Sequence, residues 1–216
     1  MLKCAIITPG FLPVPAVDGG AIEMLVTNLI EANEKEEYFD FDIFTIESKN
    51  SLNYKYHNCN IKTIKISKFY RLFDKLINKI FSMFNINNYI SRYIDLVCNE
   101  IKICNKKYDY ILIENNMYLY KRVFESYNKD TKFIFHLHND VGNRDKPIRL
   151  CKFISDTSYK VLTVSDFLNE KFKKVTGCNH VETYYNCINK KSFLSEISGY
   201  PSRKKLNMKQ NDIIFM

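Results

Sequence analysis

The run Lys3-Cys-Ala-Ile-Ile-Thr8, the loop Pro9-Gly-Phe-Leu-Pro-Val-Pro-Ala-Val-Asp18, the pair Gly19-Gly20 and the stretch Ala21-Ile-Glu23 decide the fold. Cys4 to Thr8 is a short, continuous apolar run, which suits a strand buried on both faces. Ala21 to Ala32 carries Ile22, Leu25, Val26, Leu29 and Ile30 at helical spacing. In an open α/β sheet, ligands bind beyond the carboxyl ends of the strands, and this loop leaves such an end. Glycines at the helix start let backbone N–H groups approach a ligand, and the helix dipole there favours a negative group such as phosphate. The spacing is neither G-x-G-x-x-G nor G-x-x-x-x-G-K-[ST], which speaks against a dinucleotide dehydrogenase or a P-loop enzyme. A glycine pair that only shapes a turn is the plainer alternative.

Outward from this unit, strand-like and helix-like segments alternate. Strands are expected at Phe41–Ile46, Ile61–Ile66, Tyr108–Ile113, Lys132–His138, Lys160–Val164 and Val181–Tyr185. Helices are expected at Arg71–Phe84, Tyr89–Asn105, Tyr118–Tyr127, Pro147–Asp156 and Phe167–Val175. Ser165 or Asp166 caps the last helix and Gly177 ends it. The pattern predicts a doubly wound α/β fold with a mostly parallel sheet flanked by helices, over residues 1–189. Residues 190–216 are polar and basic with Gly199 and Pro201, as in a linker, until Asp212-Ile-Ile-Phe-Met216 opens a new apolar run. That run reads as the first strand of a second domain.

The 216 residues are 46% apolar and 26% charged, with a formal charge of +8. No run approaches the ~20 apolar residues of a membrane span, and no signal peptide is visible, so the expected location is the cytoplasm. The positive balance favours an anionic partner or is a Lys- and Asn-rich bias. The seven cysteines are odd in number and lack C-x-x-C spacing, so they read as reduced thiols. His136 and His138 are close to one another but no cysteine pair accompanies them, and no metal site is expected.

Four stretches in order carry a family resemblance: Pro9 to Glu23 with its proline loop and Gly19-Gly20, His136-Leu-His138 at a strand end, Val161-Leu-Thr-Val-Ser165-Asp166 at a strand-to-helix junction, and Asn186-Cys-Ile-Asn189. Together they resemble family 4 glycosyltransferases, which have the two-domain GT-B fold. Cys187 and Asn189 stand where the family usually has Gly and Asp, and its acidic E-x7-E motif cannot be placed.

The resemblance implies a Rossmann-like, acceptor-side domain of a retaining transferase that moves a hexosyl-type sugar from a nucleotide-diphosphate donor to a glycan or polyprenyl-linked acceptor. That places it in polysaccharide or glycolipid biosynthesis, with no cofactor and no obligatory metal. Gly19 and Gly20 are then donor diphosphate-binding. His138 is the residue carried over as catalytic. His136, Asn139, Asp140, Glu114, Asn115 and Ser165 line the acceptor cleft. His136 as a supporting core residue and Asn139 and Asp140 as loop caps are the structural alternatives. The donor half is expected beyond Met216, and this stretch alone is expected to be inactive. The alternatives are a non-catalytic acceptor- or nucleotide-binding subunit with a separate catalytic partner, and a nucleotide-binding regulator of flavodoxin-like architecture.

Lys68, Arg71, Lys75 and Lys79 interleave with Phe69, Tyr70, Leu72, Phe73, Leu76, Ile77, Ile80, Phe81 and Phe84. Such a basic amphipathic helix suits the surface of an anionic membrane, which predicts a peripheral protein at the inner face. A core-packed helix with a solvated basic edge is the alternative. No nucleic-acid motif is present, and nucleic acid is not expected as a partner.

Overall fold

The computed structural model describes residues 1–51, 54–84, 89–127, 130–142 and 145–187. Two compact units are distinguished, Met1–Asn186 and Cys187–Met216. The linker and strand expected in 190–216 lie outside the described residues.

Seven strands form one sheet: β1 (Leu2–Ile7), β2 (Phe39–Ile46), β3 (Cys59–Ile64), β4 (Tyr110–Glu114), β5 (Lys132–Leu137), β6 (Lys160–Thr163) and β7 (Val181–Thr183). The helices are α1 (Ala21–Glu36), α2 (Lys68–Met83), α3 (Arg92–Cys104), α4 (Met117–Ser126), α5 (Asp145–Thr157) and α6 (Asp166–Thr176). The strand order is β3-β2-β1-β4-β5-β6-β7, and every pair is parallel. This is the doubly wound Rossmann order with one added edge strand. It differs from the flavodoxin order 2-1-3-4-5. The order reverses between β1 and β4, and the carboxyl ends beside that reversal are where open α/β sheets generally bind their ligands.

Side-chain alternation sorts the core into two layers. Ala5, Ile7, Phe44, Ile111, Ile113, Phe133 and Phe135 meet Val97, Ile101, Leu119, Val123, Ile154 and Phe172 from α3 to α6. On the other face Cys4, Ile6, Phe41 and Ile43 meet Val26 and Ile30 of α1. α1 buries Glu23, Val26, Thr27, Ile30 and Asn33, a stripe at helical spacing. Its end is set by Asn33, whose side chain donates to Phe39 O at 2.8 Å and accepts from Phe39 N at 2.9 Å. That pair turns the chain into β2.

The loop after β1 is stapled rather than free. Val14 N donates to Thr45 Oγ1 at 3.0 Å and Ala16 N to Thr27 Oγ1 at 3.0 Å. Tyr93 Oη donates to the carbonyls of Thr8 and Phe44, both at 3.1 Å. Its ring lies against Gly10, where a Cβ would overlap it. All seven cysteines are free, as their spacing implied.

α2 departs from the layers. It follows the carboxyl end of β3 and precedes α3, whose first turn lies at that same edge through Tyr93. It buries no residue. One side is tied down: Asn78 exchanges hydrogen bonds with Ile90 N and O (2.9 and 2.6 Å), and Asp74 accepts from Arg92 N at 2.7 Å. Among the described residues α2 is therefore not packed into the core.

Candidate functional site at the carboxyl edge of the sheet

Glu114 ends β4 and is the register partner of His136 in β5. Neighbouring register partners point to one face of a parallel sheet, and His138, two residues on, points the same way. The three side chains therefore converge on the α1 side, beside the reversal of strand order. Glu114 Oε2 lies 3.1 Å from His136 Nδ1 and 2.7 Å from His138 Nε2, and the two ring nitrogens are 3.1 Å apart. Glu114 and His136 are buried. Burial pushes the Glu114 carboxyl up, but hydrogen bonds from His136 and His138 overcome this and hold it below the ordinary carboxylate range. His136 Nε2 is buried with no hydrogen-bond partner among the described residues. A proton on Nδ1, shared with Glu114, leaves only a lone pair there, which costs less than an unpaired N–H.

Asn115 holds this corner in shape. It has a positive φ of 50°, which Asn tolerates better than most residues. Its Oδ1 accepts from His138 N at 2.9 Å and Asn139 N at 3.1 Å, and its own N donates to His136 O at 2.8 Å. It thus acts on the strand ends through backbone. Asn116 caps α4, accepting from Leu119 N at 3.0 Å.

Gly20 caps α1 with φ 100°, and Gly19 before it is exposed with no heavy atom close to where a Cβ would stand. Gly19 N donates to Ala16 O at 3.2 Å, so that amide is engaged in a turn. No side chain of Gly20 can cap the helix; Glu23, three residues on, turns back instead. Burial pushes the Glu23 carboxyl up, and the charge of Glu114 adds to this. Hydrogen bonds from the N–H groups of Glu23 itself and of Leu12 pull the other way, and the net shift is upward. Glu23 is a site residue beyond those expected from the sequence. The signal was its place three residues after the helix cap, where an acidic side chain reaches back.

The remaining cleft candidates sit on neighbouring loops. Asn139 is exposed beside the triad. Asp140 accepts from Gly142 N at 3.1 Å and pairs with Lys171 at 2.6 Å, which ties the β5–α5 loop to α6. Ser165 caps α6, accepting from Leu168 N at 3.4 Å.

Lys68, Arg71, Lys75 and Lys79 are all exposed on α2, and none forms an ion pair among the described residues. Phe69, Leu72, Met83 and Phe84 are 66–71% exposed beside them. At about 100° per residue, Phe69, Leu72, Phe73, Leu76, Ile80 and Met83 form one stripe. The four cations form a second and the tethered side a third. An apolar ridge flanked by cations is therefore left facing outward.

No family model and no curated protein sequence matches the chain. Solved structures do. Sucrose-phosphate synthase from Thermosynechococcus elongatus is 14% identical, with a TM-score of 0.62 over 98% of this chain and 54% of that one. A shorter structure of the same synthase gives 0.54 at 14% identity, over 94% of this chain and 99% of that one. A glycosyltransferase from Rickettsia africae is 12% identical, with a TM-score of 0.58 over 97% of this chain and 51% of that one. At these identities the likeness shows the fold: a Rossmann-like α/β unit of the kind found in these sugar-transferring enzymes. The chain spans about half the length of the two longer structures.

Proposed function

We propose that the chain is the N-terminal, acceptor-side part of a GT-B glycosyltransferase of family 4 type. It transfers a hexosyl group, with retention of configuration, from a nucleotide-diphosphate sugar to a glycan or polyprenyl-linked acceptor. Residues 190–216 begin the donor-binding domain, and the protein works at the cytoplasmic face of a membrane. The observation that carries this reading is the meeting of Glu114, His136 and His138 at the reversal of strand order, with Glu23, which lies beside Gly20 at the head of α1, close enough to feel the charge of Glu114. The likeness to two structures about twice as long supports it.

In this reading the exposed head of α1 faces the donor diphosphate. Its N–H groups and dipole stabilise the charge that grows on the departing nucleotide, without a metal at the phosphates. His138 lines the sugar site and Glu114 positions its ring. Burial and the charge of Glu114 raise the Glu23 carboxyl, and an approaching diphosphate would raise it further, which lowers the cost of placing the anion at the helix head. Ser165 and Asn139 border the acceptor side.

The test uses the full-length protein, incubated with a panel of nucleotide-diphosphate sugars with and without a polyprenyl-linked acceptor. One donor should be consumed only when acceptor is present, and NMR of the product should show the donor's anomeric configuration. Failure of every donor, with the acceptor bound but unchanged, would overturn transfer and favour a non-catalytic binding subunit.

A further inference from the structure

Glu114, His136 and His138 each offer one ligand atom, and these atoms lie within 4.8 Å of one another. Taken as Glu114 Oε2, His136 Nδ1 and His138 Nε2, they form a triangle with edges of 2.7, 3.1 and 3.1 Å. A first-row divalent cation with bonds of about 2.1 Å holds adjacent ligand atoms about 3.0 Å apart on one face of an octahedron, and slightly further apart in a tetrahedron. We propose that this triangle is a binding site for a zinc-type divalent cation. It goes beyond the transfer reading and does not depend on it.

Three observations support a cation at this place. The donor set is two imidazoles and a carboxylate, the chemistry such ions select. All three ligands come from strand ends fixed by register and by Asn115, so the site is formed in advance. Finally, Glu114 and Glu23 are both buried and close enough for Glu114's charge to act on Glu23. Lys171, which reaches the neighbouring loop, is paired to Asp140. A divalent ion would neutralise carboxylate charge that the two histidines only share.

Binding requires each ring to carry its proton on the nitrogen that is not a ligand. For His138 that is Nδ1; for His136 it is Nε2, which has no acceptor among the described residues. An incomplete outer shell of this kind weakens metal affinity by about 10–100-fold, so the site is expected to bind micromolar rather than nanomolar zinc. Three protein ligands also leave at least one position open to water or to a substrate oxygen.

The 216-residue chain, stripped with a chelator, is titrated with Co2+ and then with Zn2+ at about pH 7.5. One equivalent of Co2+ should bind with visible d–d absorption, and Zn2+ should displace it. A hundredfold excess of Zn2+ over its dissociation constant should raise the melting temperature by several degrees. Glu114→Gln keeps the shape of the corner, and His138→Asn keeps its polarity. Each should lower Co2+ affinity at least about tenfold, while His57→Asn, remote from the triangle, should leave it unchanged. Melting curves in chelator show whether each variant is folded. Less than about 0.1 equivalent of bound metal, or binding that survives both substitutions in folded protein, would overturn the proposal. The triangle would then be a proton-sharing cluster only.

Discussion

A Cβ on Gly20 would overlap Glu23 Oε2 and lie 2.9 Å from Leu12 Cδ1, at a residue whose φ is 100°. Gly20→Ala therefore carries backbone strain and displaces the carboxylate that caps α1. We expect a loss of about 1–3 kcal/mol in urea unfolding, whereas Met24→Ala on the exposed side of the same helix should cost under about 0.5 kcal/mol. Because Gly20 is structurally occupied, Glu23→Gln is the cleaner probe of the helix head. Removing that charge should tighten binding of inorganic pyrophosphate to the chain by about 3–10-fold in calorimetry. Equal affinities for both proteins would place the phosphates elsewhere. At this scale the sequence was only partly legible. Two glycines before a helix, and two histidines two positions apart, can be read directly. Their meeting with Glu114 depends on the register of β4 against β5, which sequence periodicity leaves open. Glu23 was hidden for a related reason: an acidic residue in a first turn looks the same whether it faces water or folds back.

Between elements, the polar network around Asp42 joins three parts of the chain. Asp42 is buried in β2 and accepts from Tyr108 Oη at 2.7 Å, Asn60 Nδ2 at 3.0 Å and Lys106 Nζ at 2.8 Å. It thus fastens β2 to β3 and to the segment leading into β4. Burial pushes its carboxyl up, but the hydrogen bonds from Lys106, Tyr108 and Asn60 hold it below the ordinary range. A folded pKa below the unfolded one gives stability that is complete above the unfolded value, near about 3.9, and lost as pH falls through the folded value. Asp42→Asn should therefore cost about 2–3 kcal/mol at neutral pH. The gap to the parent protein should narrow between about pH 5 and pH 2, read from urea midpoints. A gap constant with pH would assign the network's effect to packing. Elements themselves were the legible part of this sequence. β1, β2 and α1 follow from apolar runs and spacing that no competing period disturbs. The ends moved by a few residues where caps decide them, as at Ser91, whose side chain starts α3 at Arg92 rather than at Tyr89. The role of α2 was not legible, because one amphipathic pattern serves equally for a core face and for a membrane face.

At the scale of the whole molecule, α2 and the candidate cleft share an edge. β1, β3, β4 and β5 run parallel, so their carboxyl ends lie on one side. α2 is inserted between the end of β3 and the start of α3 at that side. A lipid-linked acceptor held in a membrane under α2 would present its head group to the side where Glu114 and His138 converge. If the protein works at a membrane as proposed, its net charge of +8 would draw it toward an anionic surface, and the apolar ridge of α2 would set which side meets it. Each cation near such a surface contributes about 1 kcal/mol, so the four on α2 supply up to about 4 kcal/mol at low salt. Replacing Lys68, Arg71, Lys75 and Lys79 together by Ala should therefore weaken binding to vesicles rich in anionic lipid at least about 50-fold. The melting temperature should stay within about 2 °C, since these four side chains are exposed. The full-length transferase of the proposed function carries the sharper form of this expectation. Its transfer to an acceptor embedded in anionic vesicles should fall with the same substitutions, while transfer to a short, water-soluble analogue of that acceptor stays unchanged. An equal fall on both substrates would mean that the cations serve the cleft itself, and the membrane role of α2 would be lost.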